Sequence, residues 1–140
     1  MRITEQPSPY RHLEKMTVEE ITAHINNEDK KVAHAIENAL PQLNSLINAI
    51  VQHLRNGGRL FYLGAGSGGR LSVLDAIEIP TTYGAPKDMV NAIIAGGIEH
   101  LIEAREDMED DIHDGWNRLL EKQISSRDIV VGITASGTTP

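Results

Sequence analysis

Between Arg59 and Gly84 the chain reads RLFYLGAGSGGRLSVLDAIEIPTTYG, and few folds accommodate that succession. Arg59–Leu63 is a short apolar run bounded by Gly58 and Gly64, which predicts a buried strand. Gly64-Ala65-Gly66-Ser67-Gly68-Gly69 follows as a glycine-rich turn. Helical spacing then runs from Arg70 to Glu78 through Leu71, Leu74 and Ile77. Strand, glycine turn and helix in that order make an anion site, because the glycines let backbone amides approach a ligand and the helix start adds partial positive charge. Glu78 is expected to close the helix just before Pro80. Flanked by Ile77 and Ile79, it sits in an apolar context where desolvation would suit it to proton transfer.

The flanking chain extends this unit. Residues 1 to 15 contain Pro7 and Pro9 and read as an extended arm that Tyr10 and Leu13 could tack down. Thr17-Val18-Glu19-Glu20 is a capping box. It opens a short helix expected to end near Asn26-Asn27. A second helix is expected from about Asp29, broken or kinked at Pro41 and ended by Gly57-Gly58. The run Leu43, Leu46, Ile47, Ile50, Val51, Leu54 gives it one broad apolar face, suited to core or dimer packing. After the central stretch, residues 81–86 read as a loop. Met89–Ala95 is a second strand ended by Gly96-Gly97, residues 99–122 an acidic helical stretch loosened near Asp114-Gly115, and Asp128–Thr134 a third strand. Near-continuous apolar strands alternating with helices predict an α/β fold with a parallel sheet and right-handed crossovers. The expected division is an N-terminal arm with helices over 1–56 and a binding domain from 57 to 140. The last motif, Ala135-Ser136-Gly137-Thr138-Thr139-Pro140, has the form of a helix start, so the chain is expected to be truncated there with an incomplete sheet.

Composition narrows the function. A formal charge of -7 leaves no basic stripe for nucleic acid, whereas amides at a helix start can still hold a small anion. Without cysteine there is no disulfide, thiolate nucleophile or zinc ribbon. No run is long enough to span a bilayer and the first residues lack the apolar core of a signal peptide, so a cytoplasmic protein is expected. The histidines, among them His12, His34, His53, His100 and His113, show no metal-binding spacing, so no metal is expected. Trp116 is expected to pack.

Gly64-x-Gly66-x-x-Gly69 matches a dinucleotide fingerprint, but the second strand ends in Ala95-Gly96-Gly97 without the acidic residue that holds a ribose. Gly69 is followed by Arg70-Leu71, so a nucleotide P-loop is excluded as well. Ser67, Ser136, Thr138 and Thr139 all fall in turns at strand carboxyl ends, where open α/β sheets bind ligands. Hydroxyls there suit the oxyanions of a sugar phosphate, although the same residues also cap helices. Among the acidic residues after Gly97, composition selects none as catalytic.

GAGSGGRLSVLDAIEIPTTYG, the AGG at residues 95–97, the acidic stretch after it, GITASGTTP and the earlier INNEDKKV together resemble the N-acetylmuramic acid 6-phosphate etherase family. That family belongs to the sugar isomerase (SIS) superfamily, and the glucokinase regulatory protein is a relative. The resemblance covers essentially all of this chain and about the first half of the family's length. It departs at Ser67-Gly68, where Thr-Ser is more usual, at Pro80-Thr81-Thr82 for Pro-Pro-Thr, and at Thr138 for Arg.

The resemblance implies an SIS-type, doubly wound, flavodoxin-like parallel sheet flanked by helices. It implies cleavage of the D-lactyl ether of N-acetylmuramic acid 6-phosphate to N-acetylglucosamine 6-phosphate and D-lactate, in cell-wall recycling, without metal or redox cofactor. It places Gly66, Ser67, Gly68, Ser136, Gly137, Thr138 and Thr139 at the substrate phosphate, Glu78 as proton donor and Glu106 as second carboxylate and C2 base, with Glu103 and Glu109 as alternatives. It also implies a homodimer with the site close to the subunit interface. A non-catalytic sugar-phosphate sensor and an aldose–ketose isomerase are the competing functions.

Overall fold

A computed structural model describes residues 6–102, 111 and 113–137. The chain divides into two compact units, Met1–Asn48 and Ala49–Pro140. In the first, the arm carries a 3-10 turn at Leu13–Lys15 and leads into helix α1, Val18–Arg55. The capping box forms as its spacing requires: the Glu20 amide donates to Thr17 Oγ1 at 3.2 Å and the Thr17 amide to Glu20 Oε2 at 2.8 Å. Tyr10 does tack the arm down, donating its hydroxyl to Glu28 Oε1 at 2.6 Å with its ring 4.2 Å from that of His24.

The expected pair of helices is instead one. Asn26 and Asn27 are helical, since asparagine costs well under about 1 kcal/mol in a helix interior and the Glu28–Lys31 pair bridges the next turn at 2.6 Å. Pro41 is also inside α1. Its ring withholds an amide and crowds the carbonyl four residues back, while its own carbonyl accepts from Ser45 Oγ at 3.0 Å. The helix ends where expected, with Gly57 at φ +76 and the Gly58 amide donating to the His53 carbonyl at 3.0 Å, a left-handed termination that glycine makes without strain.

The second unit is a three-stranded parallel sheet in the order β2-β1-β3. Its strands are β1 (Leu60–Gly64), β2 (Val90–Ile94) and β3 (Ile129–Ile133), and its helices α2 (Gly66–Tyr83) and α3 (Asp114–Glu121). Leu60 pairs with Val90 on one side and Ile129 on the other, and Gly64 with Ile94 and Ile133. Alternation along β1 sends side chains to two layers. Leu60, Ala76 and Val90 form one core with Ile50, Leu54, Ile79 and Ile129 around it. Phe61, Ile93 and Leu119 form the other with Leu63 and Ile124. Phe61 is wholly buried, a burial that stabilises by about 1.5–3 kcal/mol. This is the expected α/β arrangement of a parallel sheet with helices, in which β3 is an edge among the described residues.

One expectation about a helix end is corrected. Glu78 does not close α2, which continues through Pro80 to Tyr83 and stops at Gly84, φ +66, whose amide donates to the Pro80 carbonyl at 2.9 Å. The helix absorbs the hydrogen bond that Pro80 removes and ends where Gly84 takes the left-handed conformation that glycine adopts without strain. Among the described residues of the acidic stretch, helix α3 starts at Asp114, where a loosening was expected. Gly115 lies close to the Leu63 side chain, whose Cδ1 a Cβ would approach to 2.9 Å, and Leu119 of α3 packs with Phe61 and Ile93. Trp116, expected to pack, is 56% exposed.

Candidate functional site

The glycine turn is shaped by close packing as much as by ligand access. Ala65 caps α2 in extended conformation and Gly66, its first residue, has φ +50, so Ser67, Gly68 and Gly69 form the helix's first turn. A Cβ on Gly68 would lie 2.7 Å from the Ile133 carbonyl oxygen, and one on Gly69 2.7 Å from Ile94 Cγ1 and 2.8 Å from the Gly64 carbonyl oxygen. Absent side chains therefore let α2 settle onto the carboxyl ends of all three strands. Position 68, where the resemblance departs by lacking a hydroxyl, faces β3. The Gly68 carbonyl accepts from Ser72 Oγ at 2.7 Å, which satisfies that buried hydroxyl. Ser67, by contrast, is exposed.

The second turn stands beside the first, since Gly68 also approaches Thr134. After β3 the Gly137 amide donates to Thr134 Oγ1 at 3.1 Å, and Ser136 Oγ lies 3.5 Å from the same oxygen. Gly137 has φ +70, which lets the turn curl back. Gly66, Ser67, Gly68, Ser136 and Gly137 are thus brought together at the carboxyl edge of β1 and β3. Amides and hydroxyls at a helix start in such a place form an anion cradle. Thr138 and Thr139 lie outside the described residues, as do Glu106 and its alternatives Glu103 and Glu109.

Sequence reasoning overlooked a third group at this edge. Arg70 Nε donates to the His100 carbonyl at 3.2 Å, which fixes a guanidinium one residue past the glycine turn. His100 packs its ring on Gly96, where a Cβ would lie 2.3 Å from Nδ1. The Gly96 amide donates to Asp114 Oδ2 at 2.9 Å, and the same carboxylate holds Arg118 Nε at 2.8 Å. Burial opposes the charge of Asp114, but Arg118 and the Gly96 amide outweigh it and its carboxyl lies below the ordinary value. Only the position of Arg70, directly after Gly69, offered a signal in the sequence.

Glu78 is not at this edge. It lies twelve residues beyond Gly66 on α2, about 18 Å along the axis at 1.5 Å per residue. Its neighbours Ala76 and Ile79 pack with Leu60 and Val90, the first residues of their strands. The desolvation expected from Ile77 and Ile79 does not occur within the chain: Glu78 is exposed and Ile77 is 60% exposed. Beside it, a groove of about 400 Å³ runs between Ile77, Pro80 and Thr81 on α2 and Val90 on β2, with Lys87 at its rim. No described helix is long and apolar enough to cross a membrane.

Residues 42–140 match the family described as the glucokinase regulatory protein N-terminal SIS domain. Among curated proteins, an N-acetylmuramic acid 6-phosphate etherase of Bacteroides thetaiotaomicron is 51% identical over all of this chain and 50% of its own length. Etherases of Bacteroides fragilis and Porphyromonas gingivalis are each 50% identical, over 100% and 99% of this chain and 50% and 51% of theirs. The chain spans about half the length of these relatives.

Proposed function

Since the chain belongs to the SIS-domain family of the glucokinase regulatory protein's N-terminal domain, we propose that it supplies the sugar-phosphate cradle of an N-acetylmuramic acid 6-phosphate etherase. One observation carries the reading: the Ser67 and Ser136 turns meet at the carboxyl edge of β1 and β3, in a chain about half identical to proteins of that name. The cradle takes the 6-phosphate on amides and hydroxyls, with the start of α2 adding charge stabilisation of about 0.3–1 kcal/mol.

With the phosphate anchored, the sugar opens and C1 becomes an aldehyde, which acidifies the C2 proton. A carboxylate removes that proton, the C3–O bond breaks, and a carboxylic acid protonates the departing lactyl oxygen, releasing D-lactate. Water then adds at C3 of the unsaturated aldehyde to give N-acetylglucosamine 6-phosphate. Every proton is exchanged with carboxyl groups or water, so neither metal nor redox cofactor enters the balance. Glu78 is the proposed donor and Glu106 the proposed C2 base. The protein acts as a homodimer in the cytoplasm.

D-lactate release is the deciding assay. Glu78→Gln and Glu106→Gln are each expected to lower kcat by about 10²–10⁴, the usual contribution of a positioned acid or base, while N-acetylglucosamine 6-phosphate still binds. Glu103→Gln and Glu109→Gln, measured beside them, test the placement of the base. Full turnover in both Glu78→Gln and Glu106→Gln defeats the assignment. The matched family is that of a regulatory protein, which favours a non-catalytic sugar-phosphate sensor as the second reading. It requires binding without lactate release, and binding indifferent to Glu78.

A further inference from the structure

We propose that Arg70 reads the carboxylate of the substrate's lactyl group, so that two anions of one sugar are held across the carboxyl ends of the strands. The inference rests on the etherase reading and adds the residue that tells a lactyl sugar phosphate from the same sugar phosphate without it. The substrate of that reaction carries anionic groups on C6 and on C3, and the cradle accounts for the first alone. A chain with a formal charge of -7 repels a second anion unless a cation stands beside it. Neither turn of the cradle supplies one, since residues 64–69 and 134–140 contain no lysine, arginine or histidine.

Arg70 is half-buried at the start of the second turn of α2. Its Nε bond to the His100 carbonyl, at 3.2 Å, reaches into the turn Ile98–Leu101 that follows β2. With the strands ordered β2-β1-β3, the side chain therefore crosses to the side of β1 away from the Ser136 turn. The bond fixes the guanidinium and leaves Nη1 and Nη2, which have no partner among the described residues, to take a carboxylate as a fork. Other cations are engaged or lie elsewhere. Arg118 is 2.8 Å from Asp114 and Arg59 3.0 Å from Asp128, while Lys87 and Arg127 precede β2 and β3 at their amino ends. Neighbouring strands stand about 4.8 Å apart, which sets the turns after β3 and β2 about 10 Å from each other. A hexose with groups on C3 and C6 spans a distance of that order, so phosphate and carboxylate can be held at once.

Substrate discrimination by the full-length protein tests this. Arg70→Gln is expected to lower kcat/KM for N-acetylmuramic acid 6-phosphate by about 10–100-fold, the usual loss of a hydrogen-bonded charge pair. Inhibition by N-acetylglucosamine 6-phosphate, which has the phosphate and no lactyl group, should stay within about twofold of wild type. An Arg70 that merely braced the turn through His100 would weaken both equally, and that result overturns the proposal. A second ligand removes the carboxylate instead of the arginine: the substrate analogue with a neutral lactyl carboxamide. The acid-to-amide ratio of kcat/KM should be about 10–100 times larger in wild type than in Arg70→Gln, and differences between the two leaving groups cancel in that comparison. Should Arg70→Gln fail to fold, Arg70→Lys, which keeps the charge and loses the fork, replaces it and should show an acid-to-amide ratio at least about threefold below wild type. Wild type that treats acid and amide alike overturns the proposal and leaves the etherase reading standing. Wild type that binds the substrate but releases no lactate overturns the etherase reading and this inference with it.

Discussion

Asp128 fastens the amino end of the sheet. Its side chain is 3% exposed and accepts from the Arg59 amide at 2.8 Å, from Arg59 Nη2 at 3.0 Å and from the Ser125 amide at 2.8 Å. The guanidinium, also set over the Phe61 ring at 4.8 Å, is the main reason this carboxyl titrates well below its ordinary range. A depressed carboxyl contributes stability above its unfolded value, near 4, and loses it as pH falls through the lower folded value. Asp128→Ala is therefore expected to cost about 2–4 kcal/mol in urea unfolding at pH 7, and less at pH 3, where the wild type has forfeited part of the same contribution. Tyr62 behaves oppositely. Burial first, and the Asp75 carboxylate second, push its phenol up to about 12. Its contribution holds below pH 10 and disappears between 10 and 12, so phenolate absorbance in the folded protein should rise about two pH units late. Unfolding by alkali should begin in that window.

At the scale of elements, two substitutions separate backbone cost from packing. Pro41 is an exposed interior residue of α1, and Pro41→Ala should stabilise the helix by about 1–3 kcal/mol, seen as a raised Tm by circular dichroism. Gly69→Ala should do the reverse. Its Cβ meets the Gly64 carbonyl and Ile94 Cγ1, and the backbone of β1 cannot give way as a side chain can, so a loss of about 1–3 kcal/mol is expected in chemical denaturation. The strands, the start of α1 and the glycine turn were legible because each is written in local chemistry: apolar runs, Thr17 with Glu20, Gly66 with Ser67. The misread elements share one cause. Asn26-Asn27 cost a helix little, and the larger cost of Pro41 and Pro80, about 3 kcal/mol for an interior proline, is overridden by the helix continuing on either side. Asp114 also holds the Gly96 amide, a partner eighteen residues away that no local pattern reveals.

For the molecule as a whole, the α/β class, the parallel sheet and a glycine turn at strand carboxyl ends follow from the order of strand, glycine turn and helix. That order is one-dimensional, and so is the chemistry of amides exposed at a helix start. What sequence could not decide is which residues share a place. Gly68 reads as a ligand contact, and only packing shows that a Cβ there would also meet the Ile133 carbonyl. Arg70 reads as an ordinary helical residue, but its Nε donates to the His100 carbonyl, thirty residues away. Glu78 follows the glycine turn closely in sequence and lies far from it in space, because a helix converts twelve residues into about 18 Å of distance. Local residue types and their periods specify elements, and tertiary packing alone sets the distances between their ends.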